Sequence, residues 1–248
     1  MTLCRVPPVV GCNPVPASPS KCTERPAPCR LAGAPLKPVI PTDLRRHILR
    51  NTAVQLSPAL CFQVHEVLHQ HRPNQWSRLW PSAVALSQWW LEQPAVLLPE
   101  SALELGCGLG LVSMTMAHLG IRVQATDREV LALAFAQRNA QLNALTGVTV
   151  SHLDWSEPEG ASTGYVVASD VLYEKGMPDR IFDVVHTQGL LRPLGTLLFS
   201  SPQVRPERAG ELVVMLKSAG YQHRQEARCV TWEGQTELID IHVLNRPG

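Results

Sequence analysis

The stretch that decides the fold is Leu103-Glu104-Leu105-Gly106-Cys107-Gly108-Leu109-Gly110, where an apolar run meets three glycines at alternate positions. The pattern predicts a buried strand over Ala102 to Leu105 and a helix over Leu109 to Leu119. Glycine lets the backbone turn tightly between two such elements and lets a ligand approach it closely. A plain strand-to-helix turn needs only one or two of these glycines. Three of them, with Glu104 two residues ahead, indicate a binding turn.

Outward from this turn, apolar strands and amphipathic helices alternate along the chain. Further strands are predicted over Arg122 to Thr126, Val148 to Leu153, Tyr165 to Ser169 and Gly195 to Ser200, with helices over Arg128 to Leu145, Met177 to Leu190 and Glu207 to Ala219. Two last strands, Gln222 to Val230 and Glu237 to Leu244, have a turn near Gly234 between them and no helix. This order predicts an α/β fold, a Rossmann-like doubly wound seven-stranded sheet that is mostly parallel, with one antiparallel strand near the C-terminus.

The beginning of the chain differs in composition from the rest. Ten of the 21 prolines and four of the seven cysteines fall within residues 1–41. Proline removes a backbone donor and disfavours helix in the residue before it, so we predict a disordered Pro/Cys-rich arm over 1–41. The domain is predicted over 42–248. Its N-terminal extension is expected to be helical, with short helices over Asp43 to Asn51 and Gln63 to Gln70, followed by a helix that begins at Pro81.

Charge and hydropathy exclude several classes of function. Lys and Arg together number 22 against 21 Asp and Glu in 248 residues, so no charge excess favours nucleic acid or a membrane surface. No apolar run approaches the roughly 18 residues of a membrane-spanning helix. His65 and His69 have a spacing that could share a metal on a helix, but no third ligand stands at an expected spacing. We therefore expect a cytoplasmic monomer with no metal, no nucleic-acid partner and no membrane partner.

Acidic residues follow the strands after the glycine turn. Asp127 ends the next strand, where a carboxylate can accept both hydroxyls of a ribose. Asp154 and Trp155 follow the strand after that, where they could contact an adenine amino group and cover its ring, although a lone tryptophan is more often a core or rim residue. The cofactor site is predicted from these residues together: Glu104, Gly106, Gly108, Gly110, Asp127, Asp154 and Trp155.

The chemistry of this set fits a nucleoside without phosphates that carries a charged amino acid, which is S-adenosyl-L-methionine. A dinucleotide fingerprint has a third glycine where this chain has Leu111, so a nicotinamide dinucleotide oxidoreductase is disfavoured.

At these residues the chain resembles a known family. The glycine motif, the strand ending at Asp127 and the ASDVLYE segment (Ala168 to Glu174) are similar to class I, seven-strand methyltransferases. Within that class, the chain is most similar to the non-SET protein lysine methyltransferases of family 16, over about residues 48–245. Asp170 and Tyr173 match the D-x-x-Y motif of that group, and Trp80 matches its tryptophan ahead of the glycine motif. The stretch from Trp80 to Pro94 resembles the branch that acts on the electron transfer flavoprotein β-subunit.

The resemblance implies a protein N-methyltransferase that uses S-adenosyl-L-methionine and acts on a lysine of an unknown protein. It adds Trp80 and Ser169 to the cofactor residues and Asp170 and Tyr173 as catalytic residues. Asp170 would orient the incoming amine, and Tyr173 would supply an aromatic wall with a hydroxyl. The alternatives are an N-cap of the following helix for Asp170 and a packing residue at the start of that helix for Tyr173.

Two other functions are open at this point. A methyltransferase acting on a small amine or a heteroaromatic nitrogen would use the same cofactor pocket. A binding module that holds S-adenosyl-L-methionine without catalysis is the second alternative, and the intact glycine motif argues against it.

Overall fold

The structure, a computed structural model, describes residues 48–68, 75–156 and 162–248. The arm predicted over residues 1–41 lies outside these ranges. The described strands are β1 (Ile48–Ser57), β2 (Leu60–Leu68), β3 (Ser101–Leu105), β4 (Arg122–Asp127), β5 (Val148–His152), β6 (Thr163–Ser169), β7 (Leu191–Pro202), β8 (Gln222–Trp232) and β9 (Gln235–Asn245). The described α-helices are α1 (Pro81–Leu91), α2 (Leu111–His118), α3 (Val130–Leu142), α4 (Met177–Phe182) and α5 (Pro206–Ser218).

Seven of these strands form one sheet in the order β5-β4-β3-β6-β7-β9-β8. All neighbouring pairs from β5 to β7 are parallel. Strand β9 pairs antiparallel with both β7 and β8, so within this sheet it runs against the other strands. The predicted sheet, with its single reversed strand near the C-terminus, is confirmed. Strands β3, β4 and β5 follow one another toward one edge of the sheet, and β6 and β7 then follow toward the other edge, so the topology switches between β3 and β6. Open α/β sheets bind ligands at the carboxyl ends of the strands at such a switch point.

Helices cover both faces of the sheet, and each face has its own buried cluster. Helices α1, α2 and α3 pack with the side chains of Ala125 and Val167 on one face. Helices α4 and α5 pack with those of Leu105 and Phe199 on the other. A strand buried on both faces cannot alternate polar and apolar residues, which explains the continuous apolar run of β6. None of the helices in the described ranges is both long and apolar enough to cross a lipid bilayer.

The predicted helical extension is wrong: β1 and β2 form an antiparallel hairpin. Val64, Val67 and Leu68 have helical spacing, and this short pattern favours a helix over Gln63 to Gln70. The inward side chains of β2 instead alternate as Phe62, Val64 and Glu66, all buried. A glutamate at an inward position hides the two-residue period of the strand, so a window this short indicates the wrong period. Residues 43–47 and 69–70 of the two predicted helices lie outside the described ranges.

The hairpin is attached to α3 by two asparagines one helical turn apart. Asn139 accepts a hydrogen bond from the backbone N–H of His65 at 2.9 Å and donates to the carbonyl of Leu109 at 3.0 Å. Asn143 accepts from Gln63 N–H at 2.9 Å and donates to its carbonyl at 2.8 Å. The two side chains thus satisfy the outer edge of β2 as a neighbouring strand would.

Replacing Asn139 by alanine should destabilise this attachment. Asn139 is fully buried, so Asn139→Ala leaves the His65 N–H and the Leu109 carbonyl without partners. We expect the free energy of unfolding to fall by about 1–3 kcal/mol, measured by urea denaturation. Gln141→Ala, an exposed change on the same helix, is the control and should leave stability within about 0.5 kcal/mol. Equal stabilities of the two variants would contradict this account of the hairpin.

Candidate functional site

A cavity of about 550 Å³ lies at the switch point of the sheet, beyond the carboxyl ends of β3 to β6. It extends from the glycine turn after β3 to the loop after β6. The segment Gln75–Trp80, ahead of α1, lines one side. The structure brings nearly all the predicted site residues to this cavity: Trp80, Glu104, Gly106, Gly108, Asp127, Asp154, Trp155, Ser169, Asp170 and Tyr173. Gly110 is outside it, at the N-terminus of α2.

The glycine turn depends on backbone conformations that favour glycine. Gly106 has a φ of +64°, and a Cβ there would stand 3.0 Å from Val171 Cγ1 and 3.5 Å from the indole of Trp155. Gly110 has a φ of +83°, and a Cβ there would stand 3.0 Å from the Cβ of Ala136 in α3. Gly106 therefore keeps the cavity open, whereas Gly110 lets α2 and α3 approach each other.

Asp127 joins the glycine turn to the turn that follows β4. One carboxylate oxygen accepts the N–H of Gly108 at 3.0 Å, and the other accepts the N–H of Glu129 at 2.9 Å. The side chain is 8% exposed, and its burial raises its pKa, against the lowering effect of the two backbone donors. Each oxygen retains a lone pair for a ligand hydroxyl in the cavity.

Glu104 is a fully buried carboxyl group beneath the same turn. Ser113 in α2 donates a hydrogen bond to it. Burial raises its pKa to about 8, and the nearby charge of Asp127 adds to the rise. The carboxyl is therefore largely protonated at neutral pH.

Asp154 and Trp155 form the rim of the cavity beyond β5. The carboxylate of Asp154 is exposed and accepts the N–H of Ser156 at 2.8 Å and its hydroxyl at 2.6 Å, which lowers its pKa. Trp155 is half-buried, lines the cavity and packs against the buried cluster on the α4–α5 face. Trp155 therefore fits both predictions, because it is an aromatic residue that lines the cavity and also a residue of the cavity rim.

Asp170 lines the cavity directly after β6. Its φ of +52° is unusual for a residue with a side chain, and its N–H donates to the carbonyl of Ser200 at 3.0 Å. The carboxylate forms an ion pair with Arg205, whose Nη2 is 2.8 Å from Oδ1. Burial raises the pKa of Asp170 to about 6, although Arg205 lowers it. Helix α4 begins only at Met177, with Gly176 as its N-cap, so the helix-cap alternative for Asp170 is wrong.

Tyr173 is half-buried on the wall of the cavity. Its ring packs in part against the buried cluster that includes α4, and burial raises the pKa of its hydroxyl. Its backbone carbonyl accepts a hydrogen bond from Arg208 in α5.

Glu66 supports the cavity wall, a role that the sequence analysis did not assign to it. Its carboxylate is 1% exposed, accepts the N–H of Leu79 at 2.9 Å, and also binds Arg50 and Thr52. Glu66 thereby fixes the segment Gln75–Trp80 to the hairpin, next to the glycine turn. The one signal in the sequence is a glutamate at an inward position of an apolar strand.

Metal-ligand clusters are not found among residues 48–68, 75–156 and 162–248. His65 lies in β2 and accepts a hydrogen bond from Arg138 at 2.9 Å. His69, its predicted partner on a helix face, lies outside the described ranges.

Comparisons with known proteins identify relatives of both sequence and fold. A family model for lysine methyltransferases matches residues 67–208, more than half of the chain. The protein N-lysine methyltransferase METTL21A of Mus musculus is 34% identical over 148 residues, 56% of this chain and 66% of that protein. The electron transfer flavoprotein beta subunit lysine methyltransferase of Homo sapiens is 26% identical over 165 residues, 62% of this chain and 63% of that protein. Each alignment spans just under two thirds of the relative.

Among solved structures, the N-methyltransferase NodS of Bradyrhizobium japonicum matches with a TM-score of 0.52 over 68% of this chain and 98% of that chain. Its sequence is 18% identical, so this match supports the fold alone.

The buried carboxyl of Glu104 predicts a specific dependence of stability on pH. Its pKa in the folded chain is raised to about 8, above the value of about 4.5 expected in the unfolded chain. Its contribution to stability is therefore complete below about pH 4.5 and is lost as the pH rises through 8. Glu104→Gln removes this loss, so the stability of the variant relative to the native chain should rise between pH 5 and pH 8.5, by on the order of 2–4 kcal/mol.

The measurement is urea denaturation of both proteins across this pH range without ligand. Glu211→Gln, an exposed change in α5, is the control and should show no such trend. A Glu104→Gln difference that is constant with pH would show that Glu104 is ionised in the folded chain throughout.

Proposed function

The chain belongs to the lysine methyltransferase family, and we propose that it transfers a methyl group from S-adenosyl-L-methionine to the side-chain nitrogen of a lysine in a protein. One observation carries the proposal: a single cavity is lined both by the glycine turn with Asp127 and by Asp170 with Tyr173. Donor and acceptor sites within one cavity are what a direct transfer between two bound molecules requires.

The part of the cavity beside the glycine turn fits a nucleoside bound without phosphate contacts. The space beside Gly106, which a Cβ would fill, lets a ligand approach the backbone between Val171 and Trp155. The remaining lone pairs of Asp127 would accept the ribose hydroxyls. Trp155 would cover the adenine, and Asp154 at the rim would accept its amino group. Glu104, Gly108, Trp80 and Ser169 complete the lining of the predicted cofactor site.

When bound, S-adenosyl-L-methionine supplies a methyl group whose bond to sulfur breaks as a nitrogen lone pair attacks the carbon, leaving S-adenosylhomocysteine and the methylated amine. The residues of this chain would prepare that nitrogen. A lysine with its ordinary pKa of about 10.4 is almost fully protonated at neutral pH. Partial desolvation inside the cavity would favour its neutral form. Asp170 would accept an N–H of the amine and align it. Tyr173 would provide the wall along which the lysine side chain enters.

The nature of the acceptor separates this proposal from its rival, a methyltransferase of small amines or heteroaromatic nitrogens. The two named relatives are lysine methyltransferases by name, which favours a protein acceptor. The cytoplasmic location, the monomeric state and the arm over residues 1–41 stay predictions.

Transfer of a labelled methyl group tests the proposed reaction. The full chain is incubated with methyl-labelled S-adenosyl-L-methionine and a whole-cell extract, and the protein and small-molecule fractions are analysed separately. We expect label in the protein fraction, on lysine after hydrolysis. Label in the small-molecule fraction alone would support the rival, and no transfer from a chain that binds the donor would support the silent binding module.

Asp170 and Tyr173 should affect transfer more than donor binding. Asparagine tolerates the left-handed φ of residue 170, so Asp170→Asn changes the charge and little of the backbone. We expect methyl transfer to fall about tenfold to a thousandfold, equivalent to about 1.4–4 kcal/mol of barrier. S-adenosyl-L-methionine affinity should change less than about threefold. Tyr173→Phe should be milder if the ring alone forms the wall.

Asp179→Asn, which removes one exposed carboxylate from α4, is the matched control and should transfer at the native rate. Melting temperature, donor affinity and transfer rate are measured for each variant. Native turnover with Asp170→Asn would remove the catalytic assignment of Asp170.

A further inference from the structure

Arg205 is the cation that contacts Asp170, and neither the D-x-x-Y motif nor the glycine motif includes it. Its Nη2 lies 2.8 Å from Oδ1 of Asp170, and its side chain is 35% exposed at the edge of the cavity. Within the described ranges, Oδ2 of Asp170 has no hydrogen-bond donor. The contact therefore occupies one carboxylate oxygen and leaves the other without a donor, in a residue that lines the cavity.

We propose that Arg205 is a positioning residue, which holds Asp170 ionised through one oxygen and leaves the second oxygen for the acceptor amine. The inference rests on the proposed function, because it assigns a partner to the residue that would align the amine. In this account Arg205 does not touch the reacting atoms, and it acts only through Asp170.

The fold fixes both ends of this ion pair. Ser169 and Ser200 are register partners in neighbouring parallel strands, and β7 runs only two residues further, to Pro202, so Asp170 and Arg205 follow their strands at the same edge of the sheet. Asp170 is held there by its N–H bond to Ser200. The chain then turns, with Arg205 N–H donating to the Pro202 carbonyl at 3.2 Å, and α5 begins at Pro206, whose fixed φ suits a first helical residue. Arg205 is therefore held between a turn and a helix start rather than in a free loop.

The charges around Asp170 show what Arg205 contributes. Glu237 in β9 and burial both raise the pKa of Asp170, and Arg205 opposes them. The other titratable groups close to this loop are Tyr173 and Glu174 within it, Arg180 in α4, and Arg208 in α5, which donates to the carbonyl of Tyr173. Without Arg205, burial and Glu237 would act unopposed, and the pKa of the carboxyl would rise further. A protonated carboxyl is a weaker acceptor for an amine N–H than a carboxylate, because it lacks the negative charge that strengthens the hydrogen bond.

Arg205 also limits how strongly Asp170 stabilises the protonated form of the acceptor amine. A carboxylate in contact with the acceptor also stabilises it as an ammonium ion, which has no lone pair to attack with. A carboxylate already shared with a guanidinium attracts a proton on the amine less strongly. Arg205 thus lets Asp170 align the amine at a smaller cost in its deprotonation.

The test measures the titration of Asp170 directly. In the full chain with ¹³C-labelled aspartate carboxyls, the signal of Asp170 is assigned by its loss in Asp170→Asn. Arg205→Gln removes the charge with similar reach, Arg205→Lys retains the charge, and Lys217→Gln removes an exposed charge from the far end of α5 as the matched control. We expect Arg205→Gln to raise the midpoint of Asp170 by about one pH unit, the low end for an adjacent opposite charge that is partly exposed.

Arg205→Lys should restore most of this shift, and Lys217→Gln should leave the midpoint in place. The pH profile of kcat/KM for methyl transfer to the extract proteins should show the same displacement of its acidic limb. An unmoved midpoint in Arg205→Gln would overturn the inference whether or not methyl transfer occurs. If the titration midpoint of Asp170 moves and the acidic limb of the kcat/KM profile does not, the role of Arg205 in the reaction is overturned. The proposed function fails separately, if the native chain transfers no methyl group to protein.

Discussion

The two backbone hydrogen bonds that Asp127 accepts are the interaction on which the cavity depends. They tie the glycine turn after β3 to the turn after β4, so the two loops form one rigid edge. The position of α2, which begins at the end of the glycine turn, follows from that edge. The same carboxylate is buried, and burial opposes its charge. Its two donors are therefore needed to keep an ionised group where a ligand hydroxyl can reach it.

Two other carboxyl groups in the cavity show how their surroundings separate their chemistry. Glu104 has a hydroxyl partner and, among the described residues, no cation in contact with it, and its pKa rises to about 8. Asp170 is mostly buried but has Arg205 beside it, and its pKa rises only to about 6. At neutral pH the first is mostly neutral and the second mostly ionised. Groups whose environments separate their pKa values in this way can take different roles within one site.

The sheet and the main site residues could be predicted from the sequence because both follow from local patterns. Continuous apolar runs identify the buried strands, and the ends of parallel strands meet at one edge, so the sequence alone places Asp127, Asp154 and Asp170 together. The hairpin could not be predicted, because the inward Glu66 breaks the alternation of β2. Leu79, whose N–H donates to Glu66, comes after residues 69–74 in the sequence, and no short-range pattern connects the two residues.

Arg205 and Asn139 could not be predicted for a related reason. Arg205 is 35 residues from Asp170, and Asn139 is 74 residues from His65. Such contacts are set by which strands and helices become neighbours, and a single arginine or asparagine in a helix region has no pattern of its own. The residues that line a site can be predicted from the ends of strands, whereas the residues that support them can be identified only in the assembled fold.

Calorimetric titration of the full chain with S-adenosyl-L-methionine, and separately with a nicotinamide dinucleotide, tests the assignment of the cavity most directly. The two ligands share an adenosine and differ in what it carries, so the comparison isolates the part of the cavity beyond the ribose. The assignment of the cavity to S-adenosyl-L-methionine predicts saturable binding of one such molecule per chain and no binding heat from the dinucleotide. Saturable binding of the dinucleotide, with none of S-adenosyl-L-methionine, would contradict it.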